Sequence, residues 1–275
     1  MSNMSVKIYS AAVLGLEAEI VEVEAGLGGG QLGSFATVGL PDIAVSEARE
    51  RVRNAIKNSN IDFPHVKVTV NLAPANIKKQ GSGYDLPIAV SIIAALGKLK
   101  NSQVDFDKAL FVGELALDGR LRPVTGVLSI ALSAARHGFE RLFVPSANAC
   151  EAALASGVEV LPLDNLAQLI KHLLGQELLS AVIATTPDLV NVAQLMDMAN
   201  VCGQEQAKRA LEIAASGAHN LLLSGSPGSG KTLLARTLPS ILPNLSLEEA
   251  LERTKVYRID GHLLGSTAHR AYNRF

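Results

Sequence analysis

Residues 221–238 read LLLSGSPGSGKTLLARTL, and how this stretch is read decides the fold of the C-terminal part of the chain. Gly225, Ser226, Pro227, Gly228, Ser229, Gly230, Lys231 and Thr232 match the pattern Gly-x-x-x-x-Gly-Lys-Thr. Small residues let successive backbone N–H groups turn inward onto phosphate oxygens. A helix opening at Gly230 adds the partial positive charge of its N-terminus. Lys231 is spaced to reach the β- and γ-phosphates, and Thr232 to offer its hydroxyl to Mg²⁺. The motif also requires an apolar strand before it and a helix after it; residues 219–224 predict the strand and 230–241 the helix. ATP with Mg²⁺ is the expected ligand.

The bulk composition sets wider bounds. At 275 residues the chain has room for one large domain or two ordinary ones. With 48% apolar and only 4% aromatic residues, it predicts an α/β interior packed with Ala, Val, Leu and Ile. A net charge of −1 gives no whole-molecule attraction to nucleic acid or to an acidic membrane. Cys150 and Cys202 sit in no paired or metal-binding array, so they read as reduced, semi-buried thiols of a cytoplasmic protein. The histidines show no ligand spacing. The apolar run at 86–96 is too short to span a bilayer, and Tyr9, Ser10 and Glu17 interrupt the one leader-like stretch. A soluble chain without a membrane partner is expected.

Two unequal parts emerge along the chain. In the first, β-rich stretches at 19–27, 34–40, 66–73, 109–117, 141–146 and 158–163 are interspersed with helices. The best helical pattern is 42–59, where Ile43, Ala44, Ala48, Val52, Ala55 and Ile56 recur near a period of 3.6 and Asp42 is placed to cap. Further helices are predicted at 84–98, 126–137, 147–155 and 165–174. Without strict alternation, this pattern implies an α+β or two-layer α/β domain over 1–174. Residues 175–200, with Gly175 and the Thr-Thr-Pro breaker at 185–187, read as a linker. The second part, 201–275, opens with a helix at 203–216 before the glycine loop. Gly28, Gly30 and Gly33 spell a dinucleotide fingerprint, but a strand-like stretch follows them instead of the required helix. They are expected to form a flexible hairpin loop.

The stretch from Asp197 through Thr232 resembles the entry to an AAA+ ATPase module of the magnesium-chelatase-like type. In such modules a Val-x-Gly-Gln turn and the next helix wall the adenine site. Here the matching residues are Val201, Gly203 and Gln204, with Ala207 and Lys208 on the helix. The same helix has an apolar stripe of Ala207, Ala210, Leu211 and Ala214 that packing alone explains.

Upstream, "NLAPANIKKQGSGYDLPIAV" and the run Gly-Glu-Leu-x-Leu-x-Gly-x-Leu-Arg-Pro-Val at 113–124 resemble the Lon-protease-type domain, an α+β fold like domain 2 of ribosomal protein S5. "VGLPDIAVSEARERVRNAI" is similar to the ComM/YifB family in particular, and the order of domains matches that family. The resemblance implies an ATP-binding protein whose family acts in ATP-driven DNA processing, in competence and recombination, as a branch-migration-type helicase and a hexameric homo-oligomer. Lon-type peptidases need a serine nucleophile with a lysine base. The resemblance places the nucleophile position at Gly83, beside Ser82, and the lysine position near Leu128. No lysine lies between Lys108 and Lys171. The domain is therefore expected to be catalytically inactive, and an ATP-dependent protease is disfavoured.

Two basic features stay open. Lys78 and Lys79 form either a solvated loop or a loop that touches DNA phosphate. Arg49, Arg51, Arg53 and Lys57 alternate with Glu47 and Glu50, as on a solvated helix face. Beyond Thr232 the sequence offers no strand ending in paired acids; Glu248, Glu249 and Glu252 belong to a helix-like stretch and Asp260 precedes Gly-His. The chain is thus expected to end within the module, with neither the Mg²⁺-holding acidic strand nor the arginine finger that hydrolysis needs. A nucleotide- or DNA-binding remnant without turnover is the alternative function.

Overall fold

The computed structural model of the chain describes residues 6–29, 34–183 and 196–243, together with Glu249 and Glu252. The described residues fall into two compact units, the first up to residue 183 and the second from residue 196. The linker expected at 175–200 has its centre, 184–195, outside the described residues, as does most of the stretch after 243.

The first unit is built on a seven-stranded sheet of order β3-β4-β2-β1-β5-β8-β9. Its strands are β1 (Lys7–Leu14), β2 (Glu17–Gly28), β3 (Phe35–Val38), β4 (Lys67–Ala73), β5 (Ala109–Phe111), β8 (Arg141–Pro145) and β9 (Glu159–Leu163). A two-residue turn lets β1 and β2 pair antiparallel, with Lys7 opposite Glu24 and Leu14 opposite Glu17. From β1 through β5 and β8 to β9 the neighbours are parallel, because helices carry the chain back between them. A separate pair, β6 (Glu114–Leu115) and β7 (Leu121–Arg122), splits the single strand expected over 109–117.

Side-chain alternation sets the layers. On β5, Ala109 and Phe111 join one apolar cluster and Leu110 the other, while on β8 Phe143 opposes Leu142 and Val144. The first face is covered by α1 (Ile43–Asn58), α2 (Asp85–Ala95) and α5 (Leu166–Leu173). The second is covered by α3 (Val127–Arg136) and α4 (Ser146–Ala152). The two-layer alternative is thereby corrected to three layers. Strands buried on both faces lose the polar/apolar alternation that would have revealed the third layer. The predicted Asp42 cap is present: its carboxylate accepts from the Val45 amide at 2.8 Å.

Gly30 and Gly33 lie outside the described residues, but the strands on either side, β2 and β3, do not pair as the expected hairpin would require. β3 pairs in parallel with β4, which separates it from β2, so the connection crosses a strand. Among the described residues the next element after the glycines is β3, not a helix, and the dinucleotide reading fails on that ground.

A tighter constraint sits at Gly39, which has φ +103, and a Cβ there would lie 2.0 Å from the Leu72 carbonyl oxygen of β4. Both the backbone conformation and the contact exclude a side chain. Gly39→Ala is expected to destabilise the first unit by at least about 2 kcal/mol. A shift of less than half that in urea unfolding would refute the close packing of this turn on β4.

Candidate functional site

The second unit carries the glycine loop. It consists of α6 (Glu205–Gly217), an extended segment at 219–225, the loop itself, α7 (Lys231–Thr237) and a 3₁₀ turn at Leu238–Ile241. Its apolar centre is Met198, Val201, Leu211 and Leu234. Val201, expected near the adenine, is thus a buried core residue. The Met198 amide donates to Ser240 Oγ at 3.0 Å, and the Thr237 hydroxyl donates to Met198 Sδ at 3.4 Å, tying the segment before α6 to the helix and turn after the loop.

Three expectations about secondary structure need correction. Residues 219–224 form no strand: among the described residues no chain lies alongside to complete a ladder, and Leu222 is 91% exposed. Leu221 and Leu223 instead line an apolar cleft of about 480 Å³ with Leu211, Ala235 and Leu238. The helix expected at 230–241 stops at Thr237, because Pro239 supplies no amide to the α-helical ladder. The helix expected from 203 starts at Glu205, because Gly203 and Gln204 both adopt left-handed conformations, with φ +67 and +63.

Within the loop, Gly228 and Gly230 have φ +81 and +84, and a Cβ on either would meet nothing within 4 Å. Backbone geometry, not crowding, selects glycine at these positions. The Lys231 ammonium lies inside the curve of the loop. It donates to the carbonyl oxygens of Gly225 and Ser226 at 3.0 and 2.8 Å and to Ser229 Oγ at 3.3 Å. Pro227 follows these carbonyls, in the turn that leads to Ser229, and Thr232 is exposed one residue beyond the lysine. Gln204 Nε2 reaches across to the Ser229 carbonyl at 3.2 Å. The structure thus brings together Gly225, Ser226, Ser229, Lys231 and Gln204, while the Gly203 turn stands next to Gln204 at the head of α6.

In the first unit, the positions that a Lon-type peptidase would use are also defined. Gly83 has no side chain, and a Cβ there would meet Val112 and Val124 at 3.6 and 3.9 Å, ordinary contacts. Leu128, on α3, is buried. The neighbouring Ser82 hydroxyl donates to the Glu114 carboxylate, which also accepts from Arg122 at 3.4 Å.

Beside them lies a pair that sequence reasoning missed. Arg51 donates from Nε and Nη2 to both oxygens of Asp85, at 2.6 and 3.0 Å, and Asp85 is fully buried. The Leu115 amide adds a third hydrogen bond to that carboxylate at 3.1 Å. Burial raises the Asp85 carboxyl to about 6, against the opposing pull of Arg51, so at neutral pH it is an ion paired with Arg51. The signal was available: an acid directly ahead of the apolar helix "LPIAVSIIAA" requires a cation nearby.

The basic features also resolve. Arg51 turns inward, and Arg53 lies over the Phe63 ring at 5.0 Å, so α1 does not present a uniformly solvated basic face. Lys78 is exposed, but Lys79 is fully buried and its ammonium donates to the Pro74 carbonyl, which excludes both the solvated and the DNA-contacting readings for that residue. Burial lowers the Lys79 pKa. Cys150 and Cys202 are both exposed, not semi-buried.

Comparison with known proteins follows the same division. One family model, "Subunit ChlI of Mg-chelatase", matches residues 21–148, and a second, "Magnesium chelatase, subunit ChlI", matches 197–274. YifB of Salmonella typhimurium is 44% identical over 249 residues, 90% of this chain and 48% of that protein. The competence protein ComM of Haemophilus influenzae is 42% identical over 253 residues, 90% of this chain and 49% of that protein. The chain belongs to the magnesium-chelatase-like family of ComM and YifB.

The chain spans about half the length of these curated ComM/YifB relatives. An archaeal Lon protease of Methanocaldococcus jannaschii is 25% identical over 115 residues, 42% of this chain and 17% of that protein. The Lon-like character of the first unit is therefore shared over part of its length, on a mixed α/β sheet. Among the described residues no helix is long and apolar enough to cross a membrane.

Proposed function

We propose that the second unit of this ComM/YifB-family chain binds ATP with Mg²⁺ through the loop 225–232. The observation that carries this reading is the Lys231 ammonium, held inside the loop, among the described residues, by carbonyl and hydroxyl oxygens. A triphosphate oxygen competes for the same ammonium and adds a full opposite charge, which neutral carbonyls lack. The open left-handed glycines leave the backbone of the loop free of side-chain cover. Gly225 to Gly230 would cradle the phosphates, Lys231 would neutralise them and Thr232 would donate its hydroxyl oxygen to the metal. Bound Mg²⁺ would screen the phosphate charges. Val201 holds the turn at Gly203 in place from the core, and Gly203 stands on the base side.

At the level of the whole protein, we assign the chain to nucleotide-dependent DNA processing in a cytoplasmic ring, with 1–174, 175–200 and 201–275 as Lon-like domain, linker and nucleotide module. Gly83 and the buried Leu128 support an inactive peptidase domain, because neither supplies the hydroxyl or the amine of a dyad.

Calorimetric titration of the full chain with MgATP tests the first claim: saturable, stoichiometric binding is expected, and absence of binding at millimolar nucleotide would overturn it. Labelled casein should remain intact with or without ATP; degradation that survives Lys231→Ala would restore a protease reading. Steady-state ATP turnover with and without single-stranded DNA separates an active module from a binding remnant.

A further inference from the structure

We infer that Gln204 acts on the phosphate loop and not on the base: it is a positioning residue that fixes the peptide joining Ser229 to Gly230. This inference rests on the proposed triphosphate site and names how that site is held in shape.

Gln204 precedes α6 in a left-handed conformation, φ +63 and ψ +32, which an L-residue with a long side chain adopts at a cost. Gly203 before it is also left-handed, with φ +67. The double reversal sends the Gln204 side chain across 25 residues of sequence to the loop, where Nε2 donates to the Ser229 carbonyl at 3.2 Å. A non-glycine residue held in this region by its surroundings is a recurrent mark of a working site.

The consequence follows from peptide geometry. In a planar trans peptide the carbonyl and the following N–H point in opposite directions. Anchoring the Ser229 carbonyl on Gln204 therefore directs the Gly230 N–H away from α6. Gly230 alone could not keep that orientation, because glycine at φ +84 flips at little cost. Ser229 is held a second time, by its hydroxyl on the Lys231 ammonium at 3.3 Å. Gln204, Ser229 and Lys231 thus form a chain of contacts from the turn before α6 to the cation that meets phosphate. That donation uses one Nε2–H of the amide, so a base contact would fall to its second N–H or to Oε1, and the binding test reads the two apart.

The two roles separate when the ligand has no base. Binding of Mg-tripolyphosphate and of MgATP is measured on the full chain for the wild type, Gln204→Met, Gln204→Gly and Lys231→Ala. Gln204→Met keeps the length and removes the donor; Gln204→Gly removes the side chain and relieves the left-handed backbone, so its melting temperature should equal or exceed that of the wild type. Both Gln204 variants are expected to weaken tripolyphosphate and ATP equally, by about 5- to 10-fold, the loss of one neutral hydrogen bond. A variant that weakens ATP while leaving tripolyphosphate unchanged would make Gln204 a base contact and overturn the inference. Unchanged affinity for both ligands in Gln204→Gly would overturn it as well, reducing the residue to a fold element. Failure of the underlying site looks different: the wild type would bind neither ligand, or would bind both as tightly as Lys231→Ala does.

Discussion

Replacing Arg51 with methionine is expected to destabilise the first unit by about 3–5 kcal/mol at pH 7.5, the usual consequence of leaving a buried charge without its partner. Methionine preserves most of the apolar stem of Arg51, so the loss reports the guanidinium. Asp85 lies at the head of α2, with no exposure of its side chain, and Arg51 supplies two of its three described hydrogen bonds. Glu114 nearby adds like charge to the same region, which raises the Asp85 pKa further.

The pH dependence distinguishes this account from simple loss of packing. The folded-state carboxyl, at about 6, lies above its ordinary 3.8, so the folded protein holds that proton more tightly than the unfolded chain. The stability this contributes is present in acid and is lost as pH rises through the folded-state value. Without Arg51 that value moves still higher, so the deficit of Arg51→Met should shrink at pH 5, where Asp85 is neutral in the variant. Adding Asp85→Asn should recover most of the loss at pH 7.5 while keeping an acceptor for the Leu115 amide. Urea titration followed by hydrogen exchange in β1, β2 and β5 reads this unit alone. A deficit that stays the same at both pH values would show that Asp85 is not the charge Arg51 balances.

The sequence disclosed what has local chemistry. The Asp42 cap, the periodic α1 and the glycine loop are each specified within a few residues, and each lies where its residues place it. What depends on distant partners was harder to read. Residues 219–224 look like a strand by apolar content, yet a ladder needs a neighbour, and among the described residues none is alongside. The crossing of β3 past β4 looked like a hairpin because short-range signals cannot tell which strand a chain segment will join. Lys79 reads as a surface lysine by type, and only the fold turns its ammonium onto the Pro74 carbonyl. In the candidate site the loop was legible as a motif, whereas the Gln204 bridge depends on two consecutive left-handed residues that composition does not announce.

Lys231→Ala is expected to weaken MgATP binding at least 100-fold, equivalent to about 3 kcal/mol. The fold should survive it. Lys231 opens α7, alanine is the better helix former, and the carbonyls that the ammonium leaves belong to exposed loop residues that water can reach. The loss is therefore one of charge at the ligand. Two controls locate it. Lys231→Arg keeps the charge, but a planar guanidinium cannot occupy a point shared by two carbonyls and a hydroxyl, so recovery should be partial. Thr232→Ala leaves the ammonium in place and should lower affinity for MgATP while sparing metal-free ATP measured in chelator. Titration with a fluorescent ATP analogue reads all four proteins, and circular dichroism checks that each is folded. If Lys231→Ala binds MgATP as tightly as the wild type, the loop is a turn with an incidental lysine. If it loses binding while Lys231→Arg retains part and Thr232→Ala loses only the metal-dependent share, the loop, the cation and the hydroxyl divide the triphosphate among them as their positions require.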